Sequence, residues 1–96
     1  MATLKEMCDV VDSIKYDEAE LMDPCPLIQS WYYLRRAMCI AEDRGRSYNG
    51  VYGPHNEPCT YWLVGDYKVT YLPDNLDFNT EMLTEDMMDN LIIEEY

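Results

Sequence analysis

The sequence predicts a small single α+β domain: two N-terminal helices, an antiparallel β-hairpin with room for a third strand, and an acidic C-terminal helix. Three observations carry this prediction. Leu27, Trp31, Leu34, Met38 and Ala41 recur at helical spacing and stop before Gly45, a residue suited to ending a helix. Cys59 to Val64 and Tyr67 to Leu72 flank Gly65-Asp66, a Gly-first two-residue turn of the kind that closes a hairpin. Helical and strand signals occupy separate stretches, the arrangement that gathers helices on one face of an antiparallel sheet. With 96 residues and 48% hydrophobic content, residues 1–96 suffice for one modest core.

The first helix is expected over about Leu4 to Tyr16. Thr3 and Glu6 have the spacing of a capping box, in which each residue's side chain satisfies the other's backbone N–H. Leu4, Met7, Val11 and Ile14 then form an apolar stripe, with Asp9 and Asp12 on the outer face. The acidic run Asp17, Glu18, Glu20, Asp23 follows before Pro24 and Pro26 interrupt the chain. Beyond Pro26 the second helix carries Arg35, Arg36 and Arg44, with Arg46 just past Gly45, and these arginines are expected to face the acidic helices. Arg44, in the last turn, suits the negative end of the helix dipole.

Ser47 to Pro58 contains Asn49-Gly50, Gly53 and Pro54, and reads as a loop or a short hairpin around Tyr48, Val51 and Tyr52. The Gly65-Asp66 turn fixes a register for the next two strands. Val64 is set opposite Tyr67, Trp62 opposite Val69 and Thr60 opposite Tyr71 on the core face; Leu63 with Lys68 and Tyr61 with Thr70 share the other. Since a lone hairpin is marginal in water, this one must lean on the helices or recruit a third strand from Tyr48 to Tyr52.

The last 24 residues, Pro73 to Tyr96, hold eight acids and no Lys or Arg. Leu83, Met87 and Leu91 repeat at i, i+4, i+8 beside Met88 and Ile92, and Glu81, Glu85 and Asp89 make a second stripe, so an amphipathic helix capped by Asn79 or Thr80 is expected. Like charges four residues apart cost a helix about 0.2 to 0.5 kcal/mol per pair. That cost would be relieved by a basic partner.

Charge excludes several functions. The 19 acids and 7 bases give a net charge of −12, which repels nucleic acid and anionic membranes. Residues 24–56 are the only net positive segment, while the two terminal segments carry nearly all the surplus. No signal-peptide core and no long apolar run appear, so an intracellular, cytoplasmic protein is expected, with Cys8, Cys25, Cys39 and Cys59 as reduced thiols.

Motifs for chemistry are sparse. His55, the single histidine, stands four residues before Cys59, but nothing marks an oxyanion hole or a phosphate-binding glycine loop, and no enzymatic activity is expected. His55, Cys25, Cys39 and Cys59 have soft ligand atoms without the close pairs that zinc sites use. Asn75, Asp77, Asn79, Glu81 and Asp86 fall at calcium-loop positions, but Thr80 replaces the turn glycine and Asp86 the bidentate Glu. Neither a metal nor a cofactor is therefore assigned.

The candidate site is the acidic surface: Glu81, Glu85, Asp86, Asp89, Glu94 and Glu95, helped by Asp12, Asp17, Glu18 and Glu20, with Tyr61 and Tyr96 as aromatic anchors. Two acidic helices side by side would present two rows of negative charge, suited to a basic nucleic-acid channel. In size, acidity and α+β character the chain resembles the small DNA-mimicking inhibitors made by bacteriophages, of the anti-CRISPR and anti-restriction type. That resemblance, one of overall character, implies a stoichiometric blocker of a host defence nuclease or its targeting complex, acting in the host cytoplasm. The alternative is a regulatory or structural protein acting through Met82, Met87, Met88, Leu91, Ile92 and Ile93 on an apolar C-terminal helix that docks on a second copy.

Overall fold

A computed structural model describes residues 2–14, 29–52, 56–72 and 84–96. The order is α1 (Leu4–Asp12), α2 (Ser30–Asp43), β1 (Ser47–Tyr52), β2 (Pro58–Val64), β3 (Tyr67–Tyr71), α3 (Glu85–Asn90) and β4 (Leu91–Glu95). The strands form one four-stranded antiparallel sheet in the order β1-β2-β3-β4. The domain is α+β, and the helices lie against one face of this sheet.

Local chemistry sets the helix ends. Thr3 Oγ1 accepts from Glu6 N at 3.1 Å while Glu6 Oε1 accepts from Thr3 N at 3.0 Å, completing the capping box. α1 stops at Asp12, short of the expected Tyr16, and Ser13 forms its C-cap. There Ser13 Oγ donates to Val10 O at 2.7 Å, a local bond that competes with continued helix. At the end of α2, Arg46 N donates to Ala41 O at 2.8 Å and Gly45 N to Glu42 O at 3.0 Å. With Gly45 at φ +72°, this is a Schellman cap.

The hairpin register is the one the turn dictates: Thr60 pairs with Tyr71, Trp62 with Val69, Val64 with Tyr67. Gly65 has φ +57° and Asp66 does not adopt positive φ, as a type II′ turn requires. β1 supplies the third strand, pairing Tyr48 with Tyr61 and Val51 with Cys59. Asn49-Gly50 is no turn; the register shifts between Asn49 and Val51, so Gly50 is the extra residue of a bulge.

The C-terminus departs most from expectation. Helix α3 has only six residues, capped by Thr84 Oγ1 accepting from Met87 N at 3.2 Å. Leu91–Glu95 is a fourth strand, not the end of a helix, with Leu91 opposite Tyr71, Ile93 opposite Val69 and Glu95 opposite Tyr67. The i, i+4 stripe therefore breaks at Asn90, and Leu91 reaches the core from a strand. The predicted cap at Asn79 or Thr80, together with Leu83, lies outside the described residues.

One core joins both layers. Met7, Val10 and Val11 of α1 and Trp31, Leu34, Ala37, Met38 and Ala41 of α2 meet Trp62, Val64, Val69, Tyr71 and Leu91 of the sheet. The described members of the stripes on α1 and α2 face inward, except that Leu4 remains exposed; Leu27 lies outside the described residues. Ala2 N donates to Met88 O at 3.1 Å, tying the start of α1 to α3. Among the described residues no helix is long and apolar enough to cross a membrane.

Candidate functional site

The described acids of the C-terminal stretch lie on α3 and on β4, the edge strand that follows it. Glu85 and Asp86 occupy the first turn of α3, where carboxylates suit the positive end of the helix, and Asp89 follows one turn later. All three are exposed, as are Glu94 and Glu95 on the edge strand β4. Glu94 lies opposite Lys68 and Glu95 opposite Tyr67, so the two acids project from opposite faces of the strand. Glu81, Asp17, Glu18 and Glu20 lie outside the described residues.

β4 also presents backbone. Leu72 N donates to Asn90 O and Tyr96 N to Asp66 O, which fixes the alternation of the antiparallel ladder. Ile92 and Glu94 therefore exchange bonds with Thr70 and Lys68, while the amides of Ile93 and Glu95 turn away from β3.

Asp12 is exposed but stands apart from α3, at the opposite end of the sheet. Its neighbour Ser13 accepts from Asp66 N at 3.4 Å, and Asp66 O accepts from Tyr96 N at 2.9 Å. These contacts place Asp66 between the end of α1 and the C-terminal residues. Sequence reasoning passed over Asp66, although its position at a hairpin tip guarantees exposure. The acidic surface thus has two ends, one on α3 and one around the β2–β3 turn, with β4 running between them. Among the described residues the acids do not form two rows on side-by-side helices.

The two aromatic candidates differ. Tyr96 is 80% exposed. Tyr61 is half-buried on the outer sheet face, stacked on Tyr48 with ring centroids 4.7 Å apart, and Lys68 Nζ sits 4.6 Å from its ring centroid. Its ring faces are engaged within the fold. On α2, Arg35 and Arg36 flank Tyr32, each guanidinium carbon 5.8 Å from the ring centroid, and Arg36 donates to Tyr32 Oη at 3.4 Å. That cluster at i, i+3 and i+4 was legible from spacing alone.

No chemistry-bearing cluster forms among the described residues. His55 and Cys25 lie outside them, and no group of three His, Cys, Asp or Glu side chains is placed to hold a metal ion. The calcium-loop frame lies outside them as well, except for Asp86 on α3. Among the described residues Cys8, Cys39 and Cys59 form no disulfide. Burial pushes the Cys59 thiol above its ordinary value, against a smaller opposing pull from Lys68. Burial raises Cys39 too, reinforced by Glu42 and Asp43 and opposed by Arg35 and Arg36. Both shifts favour the protonated thiol over the nucleophilic thiolate.

The apolar residues of the C-terminal stretch are largely spent on folding. Leu91 is fully buried, and Met87, Met88 and Ile93 pack against the core. Ile92, opposite Thr70, is on the outer face of the sheet and half-buried. Met82 lies outside the described residues. No family model, curated protein or solved structure matches the chain.

Proposed function

We propose that the chain is a non-enzymatic inhibitor that binds a basic nucleic-acid-binding surface, of the kind found on a defence nuclease or its targeting complex. One observation carries the reading: every acid described in the C-terminal stretch is exposed, that stretch itself contains no Lys or Arg, and the base set opposite its strand acids, Lys68 across from Glu94, offsets one charge of five. From Glu85 to Glu95 the chain runs about 25 Å, taking 1.5 Å per helical and about 3.4 Å per strand residue. One DNA strand presents about seven phosphates over that length, against five carboxylates here. The charge density is comparable, so a Lys- and Arg-lined channel would be attracted at long range and occupied.

The experiment has two arms. A basic partner captured at low salt from a bacterial lysate is assayed for DNA binding with the protein present in increasing ratio, and again with E85K/D89K and E94K/E95K variants. The reading expects loss of DNA binding near equimolar protein, slower association for both variants, and a steep fall in association rate with salt. Association insensitive to salt and to both reversals would sink it. The apolar alternative has less support, because Met87, Met88, Leu91 and Ile93 pack in or against the core, which leaves Ile92 as the described member of its set on the outer face.

A further inference from the structure

β4 pairs with β3 over five consecutive residues without a register break, and among the described residues no strand lies beyond it. Ile92 and Glu94 spend their backbone groups on Thr70 and Lys68, so the N–H and C=O of Ile93 and Glu95 all point out of the sheet along one edge. The Leu91 N–H is already used, donating to Met87 O and Met88 O. From this placement we infer that β4 receives an extended, basic segment of a partner protein as a further antiparallel strand.

Three features select that occupant. The first is the choice of edge. The opposite edge strand, β1, has its ladder interrupted between Asn49 and Val51, and such bulges turn an edge away from further pairing. β4 has no bulge, proline or lysine, and Ile92 and Ile93 favour the extended backbone that an added strand needs. The second is charge. Glu94 and Glu95 are exposed on β4 and Asp66 beside its C-terminal end, and Lys68, one strand inward, offsets one of these three acids. Because Glu94 and Glu95 project from opposite faces, Lys or Arg at two successive positions of an incoming strand would sit opposite both. The third feature disfavours a second copy of this chain. Antiparallel pairing of two β4 strands about Ile93 would bring Glu94 and Glu95 of both copies into one seam, with no Lys or Arg from either strand. Backbone bonds supply the hold, and the carboxylates admit cations while turning away another β4.

This pairing does not require the partner's basic segment to bind nucleic acid, and inhibition of DNA binding is read separately, so either reading can fail alone. Isotope-labelled protein is titrated to about 1 mM with the blocked peptide acetyl-Thr-Lys-Arg-Val-Thr-Val-amide, whose Lys and Arg fall opposite Glu95 and Glu94 and whose first Val falls opposite Ile93. The amides of Ile93 and Glu95 are expected to exchange fast in the free chain and about tenfold or more slowly at saturation. N-methylation of the peptide at Lys and the first Val removes the two donors aimed at β4, keeps every charge, and is expected to abolish binding. N-methylation at Arg and the second Thr, whose N–H groups face outward, should leave affinity within about twofold. Glu94→Gln and Glu95→Gln, both at exposed positions, should each weaken the parent peptide by about two- to fivefold. Slow exchange at Ile93 and Glu95 in the free chain, no added protection with the parent peptide, or equal binding by the two N-methylated peptides overturns the inference. Equal affinity for a peptide with Glu in place of Lys and Arg overturns it too. Protection that grows with protein concentration alone gives the edge to a second copy and overturns it as well.

Discussion

Gly65 lies directly against Ser13: a Cβ built on Gly65 would collide with Ser13 Oγ and crowd its backbone carbonyl. The hairpin tip thus touches the end of α1, where Asp66 N also donates to Ser13 Oγ. Gly65→Ala should cost about 2 to 4 kcal/mol, combining strain at φ +57° with the clash. Ser13→Ala should recover part of that loss in the double variant, since the two positions are in contact. Chemical denaturation of all four proteins measures this, and strict additivity would show that the contact carries no energy.

Gly45 offers the contrast. Its φ is +72° but nothing lies within 4 Å of the Cβ position, so Gly45→Ala should cost only the left-handed backbone term, about 1 kcal/mol. The same denaturation series should rank Gly45→Ala clearly below Gly65→Ala.

The strand assignment of Leu91–Glu95 makes a prediction that no helix shares. Because alternate residues face β3, the amides of Ile92 and Glu94 should exchange slowly with solvent deuterium, and those of Ile93 and Glu95 quickly. Helical structure would protect consecutive amides. Leu91→Ala should in addition destabilise by about 2 to 5 kcal/mol, as its side chain is fully buried.

Cys59 gives a pH dependence with a definite sign. Its thiol is raised from 9.0 by burial, so above that pH the folded chain keeps a proton that the unfolded chain releases. Its contribution is complete below pH 9.0 and is lost as pH rises through the higher folded value. Denaturation midpoints of the parent should therefore fall more steeply above that pH than those of Cys59→Ala. In the folded parent, alkylation of Cys59 should be slower than after unfolding.

Ser30 is buried at the start of α2, and its hydroxyl makes no hydrogen bond among the described residues. Ser30→Ala removes an unsatisfied polar atom and should leave stability unchanged or raise it by up to about 1 kcal/mol. A thermal melt distinguishes this from the loss expected when a bonded hydroxyl is deleted.

The sequence by itself determined the features set by neighbours in the chain. Thr3 and Glu6 cap α1, Gly45 ends α2, and the Gly65-Asp66 turn puts Trp62 on the core face, because each depends on bonds spanning a few residues. Acid exposure was legible for a similar reason: carboxylates without bases nearby stay in water.

Only the tertiary structure decided the C-terminus and, with it, the shape of the acidic surface. Met87 and Leu91 stand four residues apart, but Leu91, Ile93 and Glu95 also alternate with Ile92 and Glu94, so helical and strand periods overlap in one short stretch. The β3 edge resolved the tie by offering hydrogen-bond partners to β-branched residues far away in sequence, which no local propensity encodes. As a result Glu94 and Glu95 follow a sheet margin instead of extending a helical row. Arg44, Arg46 and Asp66, distant from Ile14 in the chain, come to rim one cavity because α1, α2 and the hairpin tip converge there.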